Sequence, residues 1–298
     1  MRILLSGSSQ IKHISALFSD FGWECLVFSD NHSKFKRIIS NLHKTLGANL
    51  IYVVSGYDIR RSPYWRLAIL MGKKIVIHWI GTDVLNIRNA QRSTIEQINK
   101  RYVNLSGSEQ LRKELEEVGI ISKVIPIVPH DIKFSPIPMP KKHAVISYIP
   151  KGREDFYGLS LLKRIAKCFA DITFFVVSND GANDKSPVNN IVYKGVMTSD
   201  QLKEVYVDCS ILFRFPEHDG LSMMVLEALG LGRTVIYKYD FPYTITPSNT
   251  SYDSVIETFN EVLSTSPKIN QKAIEYVNME FSINKQIDRY RAAGILEN

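Results

Sequence analysis

Ser210-Ile211-Leu212-Phe213-Arg214, and after Phe215 the run Pro216-Glu217-His218-Asp219-Gly220-Leu221-Ser222-Met223-Met224-Val225-Leu226-Glu227-Ala228-Leu229-Gly230-Leu231-Gly232-Arg233-Thr234-Val235-Ile236, decide the fold of this chain. A short apolar run ends in a loop, an apolar stretch of helical length follows from Ser222, and a second β-rich run begins at Thr234. That is the pattern of one βαβ unit of a parallel sheet. Gly220 lets backbone approach a ligand closely, and the helix beginning near Ser222 aims its free N–H groups into the same space. The loop and helix start therefore form a candidate pyrophosphate site. Glu227 lies roughly 7–8 Å further along the helix axis, about the reach of a nucleoside, where a carboxylate can accept both ribose hydroxyls. Asp219 is placed at the other end of such a pyrophosphate, where a donor sugar presents its hydroxyls.

Working outward, the same alternation runs through all 298 residues. Strand-like runs are expected at 2–5, 24–28, 50–54, 74–78, 102–105 and 123–125, with helices near 11–21, 32–46, 63–71, 93–98 and 108–118. A second series begins with a strand at 144–148. A helix at 159–169 follows, then strands at 172–177 and 191–193, a helix at 199–207, and the quoted segment. The tail from Ser254 is helical, including 282–293. Between the two series, Pro126, Pro129, Pro136, Pro138 and Pro140 remove backbone donors and fix φ, so the interdomain connection is expected there. The expected fold class is α/β, with two Rossmann-like doubly wound domains facing an interdomain cleft. The expected boundaries are 1–135, 143–275, and a C-terminal helix at 276–298 packing back towards the N-terminal domain.

Asp219-Gly220-Leu221-Ser222, then Leu226-Glu227-Ala228, then Gly232-Arg233-Thr234-Val235-Ile236 resembles the carboxylate-x7-carboxylate signature of retaining GT-B glycosyltransferases of family 4. The likeness continues upstream through Tyr193-Lys194-Gly195-Val196 and Asp208-Cys209-Ser210-Ile211-Leu212, and covers about Val145 to Tyr237. The resemblance implies that Glu227 binds ribose, that Asp219 binds the transferred sugar, and that Leu221, Ser222 and Met223 supply phosphate-binding amides. The first acid is Asp where the family usually has Glu, and Thr234 stands where it usually has Pro. The family also places an Arg and a Lys after the first strand of the second domain. Lys151 and Arg153 are the candidates here, with Tyr157 where Lys often precedes Gly. Fixed cations there would stabilise the charge that builds on a departing nucleoside diphosphate.

In the N-terminal half, His78-Trp79-Ile80-Gly81-Thr82-Asp83 looks like the family's strand-end His-Gly-x-Asp element, which implies a sugar-facing His78. Asp83 is read as orienting that histidine, meeting the acceptor, or capping the next turn. Gly7-Ser8-Ser9 resembles the loop that meets donor phosphate or acceptor. It lacks G-x-G-x-x-G spacing, which argues against a nicotinamide oxidoreductase.

Cys25, Cys168 and Cys209 are far apart and outside metal-ligand spacings, so they read as reduced thiols of a cytoplasmic protein. No secretory leader is expected at Met1, and no apolar run approaches the roughly 20 residues of a membrane span. The 37 Lys and Arg against 30 Asp and Glu, a net +7, favour anionic partners. Lys34–Lys44 and Arg60–Arg66 suit an anionic membrane surface, or else form surface helices with the apolar side turned inward. No basic stripe interleaves with stacking aromatics, so nucleic acid is not expected. The expected activity is transfer from a UDP- or GDP-sugar to a glycan, lipid-linked or other hydroxyl acceptor. It is expected to proceed without a metal or other cofactor and with retention, the leaving phosphate helping to take the acceptor proton while His78 and Asp219 position the sugar. A GT-B-type epimerase or hydrolase and a non-catalytic nucleotide-sugar-binding subunit are the competing readings.

Overall fold

The computed structural model describes the chain except residues 9, 29–33, 56–62, 130–131 and 297–298. The expected start of the basic helix at His32, the loop residue Ser9 and the cations Arg60 and Arg61 lie outside the described residues. Two compact units form: Met1–Ile132 with Phe281–Asn298, and Lys133–Glu280.

Unit 1 holds β1 (Arg2–Gly7), β2 (Glu24–Val27), β3 (Leu50–Val54), β4 (Lys74–Trp79), β5 (Val103–Ser106) and β6 (Lys123–Val124). All pairings are parallel, in the order β2-β1-β3-β4-β5-β6. Every residue of β3 is buried, as a central strand covered on both faces requires. One face packs Leu4, Ile51, Val53, Ile77 and Trp79; the other packs Ile3, Leu5, Tyr52, Val54 and Val76. The helices are α1 (Ile11–Asp20), α2 (Lys34–Gly47), α3 (Pro63–Leu70), α4 (Thr82–Ile87), α5 (Arg92–Arg101) and α6 (Glu109–Glu117), joined from the far end of the chain by α12 (Ile283–Ala292). Tyr290 of α12, with Ile295 and Leu296, completes the second face.

Unit 2 holds β7 (Ala144–Tyr148), β8 (Thr173–Val177), β9 (Ile191–Tyr193), β10 (Ile211–Arg214) and β11 (Thr234–Tyr237), parallel in the order β11-β10-β7-β8-β9. Its helices are α7 (Leu159–Cys168), α8 (Ser199–Asp208), α9 (Met223–Gly230), α10 (Tyr252–Leu263) and α11 (Gln271–Glu280). Thr198 and Gln201 form a reciprocal capping box that starts α8.

The two units divide between Ile132 and Lys133, inside the proline-rich stretch where the connection is expected, and α11 belongs to unit 2, so residues from Phe281 rather than from 276 return to unit 1. Arg233 holds the later part of the proline-rich stretch. This fully buried guanidinium donates to the carbonyls of Ile137 (3.2 Å), Pro138 (2.6 Å), Leu231 (3.1 Å) and Tyr206 (2.9 Å), and so fastens residues 137–138 to unit 2. Gly230 adds to this, because a Cβ there would lie 2.2 Å from the Phe134 ring.

Candidate functional site

In an open parallel sheet the ligand position is the point where strand order reverses, beyond the strand carboxyl ends. In unit 2 that point lies between β7 and β10. The loops leaving these strands are fastened together. Glu217 N donates to the Phe156 carbonyl at 2.8 Å. Gly158, at φ +77°, sits so close that a Cβ would be 2.9 Å from the Phe215 oxygen. Ser178, at φ +67° just beyond β8, donates to Gly195 O (2.7 Å) and accepts from Lys151 N (3.0 Å), drawing the β8 and β9 ends into the same assembly.

Arg214, the last residue of β10, points into this assembly. Its guanidinium lies 5.5 Å from the Tyr148 ring and 4.9 Å from the Tyr157 ring, and its Nε donates to Asp219 Oδ2 at 2.9 Å. The pair is largely buried, with side chains 7% and 12% exposed. Tyr237 OH donates to the same Asp219 oxygen at 3.2 Å, and it also lies 3.1 Å from the Gly220 carbonyl. Lys238 Nζ donates to the carbonyls of Pro216 (2.9 Å) and Glu217 (2.6 Å). The loop that carries Gly220 and Leu221 into α9 is thus held from below by side chains of β10 and β11. Ser222 is the buried N-cap residue, and the first amides of α9, beginning at Met223, have no partner within the helix.

Glu227 lies on α9 beside α8. Burial pushes its carboxyl up to about 7, with Lys203 acting in the opposite direction. Among the described residues no group donates a hydrogen bond to it. The side chain is partly exposed, so a ligand at the open side of α9 can donate to it, and carboxyls shifted in this way are candidates for binding sites.

The two expected phosphate cations sit at the surface of the same loop. Lys151 is paired with Asp180 at 2.8 Å, both about half exposed, and Arg153 lies over the rings of Phe156 (4.4 Å) and Tyr157 (5.2 Å). The cation fixed inside is Arg214, which the sequence reading passed over. Its signal was a charged residue at the end of an otherwise apolar buried strand.

Unit 1 places its expected residues differently. His78 is 0% exposed, and its Nδ1 lies 2.6 Å from Tyr52 OH, which in turn lies 3.0 Å from Tyr290 OH. Burial pushes the ring down to about 3, the Ile125 carbonyl opposing, so the imidazole is neutral at neutral pH. The side chain follows the strand alternation onto the face that α12 covers. Asp83 likewise works locally. Its Oδ1 accepts from the amides of Ile80 (3.1 Å), Gly81 (2.8 Å) and Val84 (3.2 Å), which closes the turn into α4, the capping role among the three expected for it. Gly7 ends β1 where the order of unit 1 reverses, between β1 and β3, and a Cβ on it would lie 1.9 Å from the Val54 oxygen. A depression of about 450 Å³ lined by Met1, Leu50, Lys73 and Gly294 sits at the strand amino ends of unit 1, away from both reversal points. Among the described residues no group of three or more His, Cys, Asp and Glu is arranged to hold a metal ion.

Two Rossmann-like units in one chain, each with a parallel sheet and a reversal point, make the fold that of GT-B glycosyltransferases. Sucrose-phosphate synthase from Thermosynechococcus elongatus matches with TM-score 0.73 over 98% of this chain and 98% of its own, at 10% identity. The apo form of the lipopolysaccharide outer core galactosyltransferase WaaB matches at TM-score 0.67 over 98% and 99%, at 14% identity. S. aureus TarM, in complex with fondaparinux, alpha-GlcNAc-glycerol and UDP, matches at 0.58 over 82% of this chain and 55% of its own, at 15% identity. No protein-family model and no curated protein matches by sequence.

Proposed function

We propose that the chain transfers a sugar from a nucleoside diphosphate donor, UDP or GDP, to a hydroxyl of a glycan or lipid-linked acceptor. The observation that carries the reading is Glu227, a partly buried carboxylate to which no described group donates, just over one turn inside a helix whose amides open at the reversal point of unit 2. In this reading the amides of Leu221, Ser222 and Met223 hold the diphosphate, Gly220 gives it room, and Glu227 accepts from the ribose. Arg214 supplies the fixed positive charge as the leaving group departs, with Lys151 and Arg153 at the rim. Asp219 holds Arg214 and turns its second oxygen to the donor sugar. The reaction is read as metal-independent and retaining, by departure and attack on one face. TarM, solved with UDP and a GlcNAc-glycerol, supports this choice of substrate class.

The test is nucleotide binding followed by thermal unfolding. UDP or GDP at about a hundredfold excess over Kd should stabilise the protein by about 2.7 kcal/mol, and Glu227→Ala should abolish the shift. Because the carboxyl titrates near 7, wild-type affinity should fall by up to about tenfold from pH 8 to pH 6, while Glu227→Gln stays flat. A protein indifferent to both nucleotides would overturn the reading. The ion pair that occupies Asp219 favours one second reading, a donor-binding subunit without turnover. Donor binding with no glycosylated product across a panel of acceptors would select it.

A further inference from the structure

α2 is inside-out over its described side chains. Among these the buried positions are Asn41 (4% exposed) and Thr45 (0%), in register with Ala48 just beyond the helix, whereas Ile38 (44%), Ile39 (51%), Leu42 (38%) and Leu46 (45%) are exposed. The spacing is that of an amphipathic helix with its apolar stripe outward, the reverse of a surface helix packed on a core. Its orientation is fixed from outside the helix: Lys44 Nζ donates to Val27 O at 2.7 Å, and Lys73 Nζ to Leu46 O at 2.8 Å and Ala48 O at 2.5 Å. The stripe is therefore held outward by these anchors. Leu70 (84%) and Met71 (47%), at the end of the neighbouring α3, are exposed as well.

Charge follows the same segment. Between Asp30 and Asp83 the chain carries nine Lys and Arg against the single acid Asp58, a net +8, while the remainder carries 28 cations against 29 acids. The whole positive excess of the protein thus belongs to the segment that bears the exposed stripe. Lys36 and Arg37 are exposed on α2 itself, and Arg66 on α3.

We infer that α2 lies in the interface of an anionic lipid bilayer, its Ile and Leu side chains among the acyl chains and its cations at the headgroups. Apolar contact alone would suit a second copy of the chain equally. Lys36, Arg37 and Arg66 are exposed here and neither α2 nor α3 contains an acid, so this surface repels its own copy and attracts a negative leaflet, and charge complementarity selects the lipid. The helix is 14 residues long, and no described helix is long and apolar enough to cross a membrane, so it rests on the surface. This stands apart from the donor reading, since nothing in it involves unit 2.

The test is co-sedimentation with vesicles of phosphatidylcholine alone and of equal parts phosphatidylcholine and phosphatidylglycerol, without nucleotide. Wild type should bind the second and not the first. I38S/I39S/L42S/L46S and, separately, K36E/R37E should each lose about tenfold or more in affinity. I121S, which removes an apolar side chain 82% exposed elsewhere in unit 1, should bind like wild type. Circular dichroism and the nucleotide-induced thermal shift of each variant separate loss of this surface from misfolding or from failure of the donor site. Vesicle binding unchanged in the four-serine variant overturns the inference. So does a wild-type dimer in analytical ultracentrifugation that this variant dissociates, with no lipid binding by either.

Discussion

Arg214 and Asp219 show how one buried pair organises the candidate donor site. With side chains 7% and 12% exposed, each charge depends on the other, because neither is adequately solvated alone. Arg214→Met is therefore expected to destabilise the protein by about 3–5 kcal/mol, and R214M/D219N by less than the sum of its two single changes. Urea unfolding of the four proteins in a double-mutant cycle measures the coupling, and additive losses would remove the pair from its supporting role. The sequence placed Asp219 and Glu227 eight residues apart at the start of one helix, and the fold keeps them there. It did not reveal that Arg214 turns inward to take one of Asp219's oxygens, or that His78 turns to the α12 face. Spacing along a chain fixes which strand end a residue reaches. What covers the face onto which its side chain alternates depends on distant parts of the chain, and His78 meets Tyr52, whose hydroxyl in turn meets that of Tyr290, 212 positions from the histidine.

At the scale of elements, the reversal point of unit 1 rests on a contact between two strands. Gly7 has φ +127°, and any Cβ would collide with the Val54 carbonyl. Gly7→Ala should cost at least about 2 kcal/mol through forced separation of β1 from β3. Hydrogen exchange of the β1 and β3 amides, compared with those of β7 and β8, would localise the damage; uniform loss would refute the assignment. The strands and long helices were legible because apolar runs of strand length alternate with helical periodicity, and the observed limits of β3, β7, β9 and β11 agree with that reading. The six-residue α4 was not legible. It is too short to display a period and exists because Asp83 ties the amides that precede it. The orientation of α2 was half legible: periodicity announced an amphipathic helix, and the choice of which side packs fell to small polar residues, Asn41 and Thr45, that fit closely against the unit.

At the scale of the whole molecule, unit 1 is assembled from both ends of the chain. Tyr290, Ala293, Ile295 and Leu296 are buried in its second core face. Large apolar side chains contribute about 1.5–3 kcal/mol each when fully buried, and a domain's entire stability is about 5–15 kcal/mol. Removal of residues 281–298 should therefore unfold unit 1 while unit 2 persists. Limited proteolysis followed by mass spectrometry would show cleavage spreading through residues 1–129 with 133–280 protected; equal resistance of both would refute the prediction. The same arrangement sets an order of events during synthesis. Residues 133–296 must be translated before the face bearing Tyr52 and His78 can be covered, roughly 10–30 s at ordinary ribosomal speeds. Unit 2, contiguous in the chain, can reach its final form within that interval. The half of the protein made first is thus the last to finish folding, and for that period its uncovered sheet is a natural client for a chaperone.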